Sequence, residues 1–234
     1  MNNEDLLTTL GKKHGTDKAD GHIYTKIYDN LFSKIRKNKI NLLEIGSGDL
    51  GSSHFMWKEY FENAEIYCID PFHQVGDNQK SNLVELLEDA GIHVFKGNQL
   101  SNDDLESFIQ KHKVKFDIII DDAAHMPDAI QNSLGYLFPY LNSGGLYIVE
   151  DLVTAKDRQN KIDIVNKNIE GILDIKHKID INLEESLLSL QENKKWLSNI
   201  LNEDQKEYLE KNIAAFQFFN DYVGPKNLCI IQKV

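Results

Sequence analysis

A doubly wound α/β fold, with a mostly parallel seven-stranded sheet, a helical insertion and a terminal β-hairpin, is what this 234-residue sequence predicts. Three observations lead there. Five short apolar runs, "INLLEIG" (40–46), "AEIYCID" (64–70), "IHVFKG" (92–97), "FDIIID" (116–121) and "GLYIVED" (145–151), mostly end in glycine or an acid. Segments of helical pattern separate them, and strand alternating with helix implies βαβ crossovers and a parallel sheet. The runs are continuously apolar, as strands are when helices cover both faces of a sheet.

The elements follow in order within one domain. Residues 1–38 hold "HIYTKIYDNLFSKIRK" (22–37), where Ile23, Ile27, Leu31 and Ile35 recur at helical spacing. Residues 39–155 hold the five strands, with helices expected at 52–62, 79–90, 102–113 and 127–140. Residues 156–213 are long, charged and helical in pattern, an insertion serving as a lid, an oligomer contact or scaffolding. Residues 214–234 close the chain with "FQFFND", a Gly-Pro turn and "LCIIQK", which reads as a hairpin added to the sheet.

Composition narrows the function. The net charge is −11, from 37 acidic against 26 basic residues, and the lysines are scattered rather than gathered in a stripe. That argues against nucleic acid as a partner. The start, "MNNEDLLTTLGKKHG", lacks the apolar stretch of a signal peptide, and no run approaches the roughly 18 apolar residues of a membrane span, so no membrane insertion is expected. The two cysteines, Cys68 and Cys229, sit in apolar runs and read as buried free thiols, with the cytoplasm as the expected location.

The first strand runs into "LLEIGSGDLGSS", with Glu44, Gly46, Gly48 and Gly51. Glycines allow a sharp turn and close approach of a ligand, and a helix N-terminus follows. An ordinary tight βα turn explains the same residues equally well. Context adds weight. The second strand ends in Asp70, whose two oxygens suit the two hydroxyls of a ribose, although a helix N-cap before Pro71-Phe72 is the competing role. The third strand ends in "KGNQL", with Gln99 where an amide meets an adenine edge. Together these point to an adenosine-bearing ligand.

The fourth strand ends in Asp121-Asp122 and the fifth in Glu150-Asp151. Neighbouring strands lie about 4.8 Å apart, so these acids would meet at one spot. Such a group repels itself unless a cation joins it, and oxygen ligands favour a hard divalent ion: Mg²⁺, Mn²⁺ or Ca²⁺. Adjacent residues on a strand point opposite ways, so one of Asp121 and Asp122 is expected to ligate and the other to hydrogen-bond loop backbone. His125, in the same loop, is a ligand, a general base or a helix cap; base is preferred because carboxylates already serve the metal.

With these residues in hand, the sequence resembles the class I S-adenosylmethionine-dependent methyltransferases. More narrowly it resembles the metal-dependent O-methyltransferases of macrolide sugars, the macrocin and mycinamicin group. The likeness runs through "KHGTDKADGHIYTKIY" (13–28), "EIGSG", "MWKEYFENAEIYCID", "FKGNQ", "FDIIIDDAAH" and "LFPYLNSGGLYIVEDLVT" (137–154). The resemblance implies Mg²⁺ or Mn²⁺ on Asp122, Glu150 and Asp151, and catalysis by His125 with Asp122. It implies S-adenosylmethionine held by Glu44, Gly46, Gly48, Ser53, Asp70, Gln99 and Asp121, with Thr16, Lys18, His22 and Tyr24 folding over it. The acceptor it implies is a hydroxyl of a small-molecule or nucleotide-linked sugar, as in glycan or polysaccharide precursors, and the assembly a homo-oligomer. A phosphorylated or phosphoramidate acceptor, or a nucleotide-binding protein without methyl transfer, is the alternative. The chain departs from the pattern with "DDAAH" for "DDGSH", and with His54 and Phe55 in "GSSHFMW" where Leu and Arg are usual. After "EDLVT" it reads "AKD" in place of aromatic residues. These changes bear on the acceptor pocket and leave the metal and base positions intact.

Overall fold

In chain order, the computed structural model gives helices α1 (Leu6–His14), α2 (Asp17–Asp20) and α3 (Tyr24–Phe32), then strand β1 (Asn41–Ile45). Next come α4 (Ser52–Tyr60), β2 (Glu65–Asp70), α5 (Asp77–Asp89), β3 (Ile92–Lys96), α6 (Asn102–His112) and β4 (Phe116–Asp121). The chain continues through α7 (Pro127–Leu137), a 3₁₀ turn (Phe138–Tyr140), β5 (Leu141–Val149), α8 (Leu183–Asn193), α9 (Glu203–Asn212), β6 (Ile213–Asn220) and β7 (Asn227–Lys233). The structure describes residues 4–73, 77–152, 181–220 and 227–234, with Asp163 and Lys167.

The seven strands lie in the order β3-β2-β1-β4-β5-β7-β6. The first five are parallel, and β7 runs antiparallel to both β5 and β6. The expected doubly wound sheet with a terminal hairpin is therefore present. β1 pairs with β2 on one side and β4 on the other. The strand order reverses there, and ligands of such sheets settle in the crevice beyond the strand ends at that point.

Alternate residues of each strand feed two cores. Leu42, Ile66, Ile118, Ile120 and Ile148 pack with Leu7, Tyr28, Phe32 and Trp57 from α1, α3 and α4. Leu43, Ile45, Ile69, Ile119 and Val149 pack with Phe108, Leu134, Leu187 and Leu209 from α6 to α9. Local chemistry fixes the helix ends. Asp5 caps α1, and Gly15 closes it in the left-handed region at φ 72°. Asn182 with Glu185, and Asn202 with Gln205, form reciprocal capping boxes on α8 and α9. Buried Lys233 donates to the carbonyls of Phe138, Pro139 and Leu141, satisfying the chain where α7 ends.

Three differences from the sequence reading have physical causes. Helix α1 lies where no element is expected, because only Leu7 and Leu10 supply its buried apolar contacts. Strand β5 begins at Leu141 rather than Gly145; Asn142-Ser143-Gly144-Gly145 has turn composition, and a register shift opposite Phe116/Ile118 absorbs it. The insertion is helical at α8 and α9, while most of 156–180 and the Gly-Pro turn lie outside the described residues. Cys68 and Cys229 are buried and unpaired. No helix among the described residues is long and apolar enough to cross a membrane.

His112 ends α6 among the rings of Tyr67, Phe108 and His93, at centroid distances of 5.2, 4.8 and 5.9 Å. Burial, then Lys111 and His93, lower its pKa to about 4. An unfolded histidine takes its proton near pH 6.5. Between those values the unfolded chain binds a proton that the native chain refuses, so stability falls as pH drops from about 6.5 toward 4. Screening at this partly exposed site limits the effect to about 1–2 kcal/mol. His112→Phe should keep the ring contacts and flatten that part of the profile by the same amount, measured by urea denaturation between pH 7 and 4.5.

Candidate active site at the carboxyl ends of β1, β4 and β5

Backbone pairing continues one residue past each strand. The Asp122 N–H donates to the Ile45 carbonyl and the Glu150 N–H to the Asp121 carbonyl, each at 3.0 Å. Asp122 and Glu150 thus emerge side by side at the switch point. Three non-glycine residues beyond strand ends adopt left-handed backbone: Phe72, His125 and Asp151, at φ 54°, 54° and 53°. Such conformations cost about 1–3 kcal/mol each and persist only where surrounding contacts impose them, commonly at functional sites.

Lys18 on α2 enters the centre of this group. Its side chain is 1% exposed. The ammonium bonds Asp122 Oδ2, lies 2.8 Å from Glu150 Oε2 and 3.4 Å from Glu44 Oε1. Burial alone would lower its pKa; the three carboxylates outweigh that and hold it well above the ordinary lysine value. Glu150 is pushed well up, first by burial and then by Asp122, against the pull of Lys18 and Tyr28. The Tyr28 hydroxyl donates to Glu150 Oε1 at 2.5 Å, and the Tyr24 hydroxyl to Asp151 Oδ1 at 2.9 Å. The self-repelling acids do therefore meet a cation, and in this structure it is an ammonium. Among the described residues no three His, Cys, Asp or Glu side chains stand ready as a metal cage.

Glu44 is fully buried beneath them. Its Oε2 accepts from Ser53 Oγ at 2.9 Å and Trp57 Nε1 at 3.0 Å, with His54 Nδ1 at 3.3 Å, while Oε1 has no hydrogen-bond donor. Glu44 and Ser53 thus bond each other inside the β1–α4 packing. His125 Nε2 lies 3.8 Å from Asp122 Oδ1, and both side chains are partly exposed. Thr16 is buried at the start of α2, and His22 stacks on Tyr24 at 4.8 Å. All four candidate residues of the N-terminal segment thus lie on α2, α3 or their approaches.

On the β2 side, Asp70 accepts the Ser47 N–H at 2.7 Å on one oxygen and the Phe72 N–H on the other. Each oxygen keeps a lone pair for a further donor. Gly48, at φ 56°, faces open space. Gly46, at φ 97°, answers to a different demand: a Cβ there would lie 2.3 Å from the Asp122 carbonyl oxygen. Asp121 turns away from Asp122, as strand alternation requires, but its partners are side chains rather than loop backbone. Ser133 Oγ, Gln99 Nε2 and Tyr147 OH surround it, at 2.5 Å for Ser133. Burial raises its pKa against those donors. Gln99 itself is buried; its Nε2 goes to Asp121 and its Oε1 accepts the Ala124 N–H at 3.1 Å. Sequence reasoning missed Tyr28, Trp57 and Ser133. Tyr28 alone carried a signal, lying four residues past Tyr24 on one helix face.

The chain has the fold of the class I S-adenosylmethionine-dependent methyltransferases. The glycines at 46, 48 and 51 have the G-x-G-x-x-G spacing that dinucleotide folds also use, so spacing does not set it apart from nicotinamide enzymes. Sequence relatives and solved structures do. It is 32% identical over 156 residues to 8-demethyl-8-(2-methoxy-alpha-L-rhamnosyl)-tetracenomycin-C 3'-O-methyltransferase of Streptomyces olivaceus, covering 64% of this chain and 37% of that one. It is 34% identical over 156 residues to mycinamicin VI 2''-O-methyltransferase of Micromonospora griseorubida, covering 64% and 36%. The chain thus spans little more than a third of the length of these curated relatives. The MycE methyltransferase of the mycinamycin biosynthetic pathway, solved in complex with Mg and SAH, superposes with a TM-score of 0.70 at 26% identity, over 98% of this chain and 55% of that one. No family model matches the chain.

The two loop glycines give a paired prediction. Gly46→Ala combines a disfavoured φ with a backbone clash and should cost about 3 kcal/mol, a fall in Tm of roughly 5–10 °C. Gly48→Ala meets only the backbone penalty and should cost about 1 kcal/mol. Thermal melts followed by circular dichroism measure both, and equal losses would contradict the packing of Gly46 on the Asp122 loop.

Proposed function

We propose that the chain is an S-adenosylmethionine-dependent O-methyltransferase acting on a hydroxyl of a sugar. The observation that carries the reading is the charge imbalance at the switch point. Glu44, Asp122 and Glu150 gather around one ammonium, Lys18, with Asp151 next along the chain and held by Tyr24, which leaves a surplus of negative charge in a largely buried setting. The side chains are all carboxylates, the ligand type that a hard divalent cation prefers, and Asp122 Oδ1 is turned to the partly exposed side where such an ion would enter. Asp122, Glu150 and Asp151 would hold Mg²⁺ or Mn²⁺, which would stabilise negative charge developing on the acceptor oxygen while S-adenosylmethionine supplies an electrophilic methyl group.

The remaining tasks fall to this chain's own side chains. His125 takes the hydroxyl proton at Nε2, with the Asp122 carboxylate oxygen 3.8 Å from that nitrogen. The His125 side chain is partly exposed and so is open to an acceptor arriving from solvent. Tyr24 and Tyr28 fix the rotamers of Asp151 and Glu150. Asp70 offers its free lone pairs to ribose hydroxyls, and Gly48 lets backbone approach the donor closely. Gln99 and Asp121 hold the loop that carries His125. The 3'-O- and 2''-O-methyltransferases that the chain resembles support the reaction type. The acceptor in this reading is a sugar on a small molecule or nucleotide, as in a glycan precursor. Unpaired Cys68 and Cys229 agree with a reducing compartment, and the reading places the work in the cytoplasm.

Two measurements test it. With a rhamnose-bearing acceptor and radiolabelled donor, excess EDTA should abolish methyl transfer and Mg²⁺ or Mn²⁺ should restore it; undiminished turnover in EDTA would remove the metal from the reaction. His125→Ala should lower kcat by about 10²-fold or more while calorimetric affinity for S-adenosylhomocysteine stays within roughly threefold.

A further inference from the structure

We infer that Lys18 is a permanent internal cation of the carboxylate cluster, latching the N-terminal helices to the sheet and keeping its place when a divalent ion binds. The second half rests on the proposed metal role; the first does not. Lys18 approaches from the closed side. It uses Asp122 Oδ2, Glu150 Oε2 and Glu44 Oε1, and is 1% exposed, while Asp122 is 24% exposed and presents Oδ1 toward His125, which is 30% exposed. The ammonium thus takes one oxygen from each acid; Tyr28 holds the other oxygen of Glu150, Ser53 and Trp57 hold that of Glu44, and Asp122 Oδ1 alone is turned toward the partly exposed His125.

Charge agrees with two cations rather than one. Glu44, Asp122 and Glu150 outnumber Lys18 three to one, and Asp151 adds a fourth acid at the same strand ends, so one ammonium does not balance the group. Removing the ammonium would leave buried Glu44 and Glu150 and partly exposed Asp122 facing one another, with Tyr28 the one neutral side-chain donor to Glu150 among the described residues. Lys18 is also a long-range joint. Its partners lie 104 and 132 residues further along the chain, at the ends of β4 and β5. α2 carries the lysine between α1 and α3, which pack with α4 over one face of the sheet. A buried salt bridge is weak evidence for net stability, but deleting one partner of it is strongly destabilising. A latch of this kind sets one geometry for the N-terminal segment whether or not the crevice is loaded.

The test is lysine footprinting of the intact protein by reductive methylation, read by mass spectrometry, in EDTA and again with Mn²⁺, whose binding is followed by electron paramagnetic resonance. Lys18 should be at least tenfold less modified than Lys12 and Lys13, which are 46% and 58% exposed, in both conditions. Labelling that appears only with Mn²⁺ would show the ion displacing Lys18, and labelling in EDTA would show no latch; either overturns the inference. Protected Lys18 with no bound Mn²⁺ would support the latch and overturn the metal reading instead. In EDTA, Lys18→Met should lower Tm by about 10 °C, with Mn²⁺ restoring more of it than it adds to the unaltered chain. A Tm equal to that of the unaltered chain would also overturn the inference. Should that variant not fold, Lys18→Met with Glu44→Gln supplies an amide donor in place of a third acid, and its recovery of a folded state with a cooperative melt is the expected result; failure of the double variant as well, beside a folded Glu44→Gln single variant, would count against Lys18 acting through these charges.

Discussion

Like charges do not gather in a protein interior without a cation to hold them, and that constraint organises this molecule. Parallel strands β1, β4 and β5 end together, and each end delivers a carboxylate. The switch point of the sheet supplies the proximity, strand alternation decides which acid faces the crevice, and Lys18 supplies the first compensating charge. That ammonium ties α2 to the ends of β4 and β5. Tyr24 and Tyr28 then reach Asp151 and Glu150 from the helix that follows.

Much of the fold was legible because strand and helix periodicities differ so clearly. Buried parallel strands such as Ile118-Ile119-Ile120 leave no other interpretation, and the terminal hairpin announced itself by two aromatic and aliphatic runs. The acids were legible as a cluster because they recur at equivalent places on two strands. Their nearest cation was not. Lys18 belongs to "HGTDK", a polar stretch whose composition describes a solvated loop, and only the tertiary fold carries that lysine into the interior. Burial of a charge depends on partners more than a hundred residues distant, which no local pattern reports.

The same limit explains Gly46 and Gln99. The sequence suggests a glycine that makes room for a ligand, whereas Gly46 makes room for the backbone of the β4 loop, and Gly48 is the one facing open space. Gln99 sits at the end of β3 as an adenosine site would have it. Its amide is nonetheless engaged from both sides, by a buried acid and by a loop N–H. Residue type and place along the strand were readable; the direction of each hydrogen bond was not.

That direction has a consequence of its own. An ionised carboxylate can only accept, so Asp121 dictates which end of the Gln99 amide turns toward it, and the carbonyl end is left for Ala124. Polarity is thereby handed along a relay, from an anion under the sheet's edge to the peptide plane next to His125. A neutral amide at 121 would have nearly the same shape and no such authority, because it could present either end. The facing of that peptide plane is in this sense written in the sign of a buried charge.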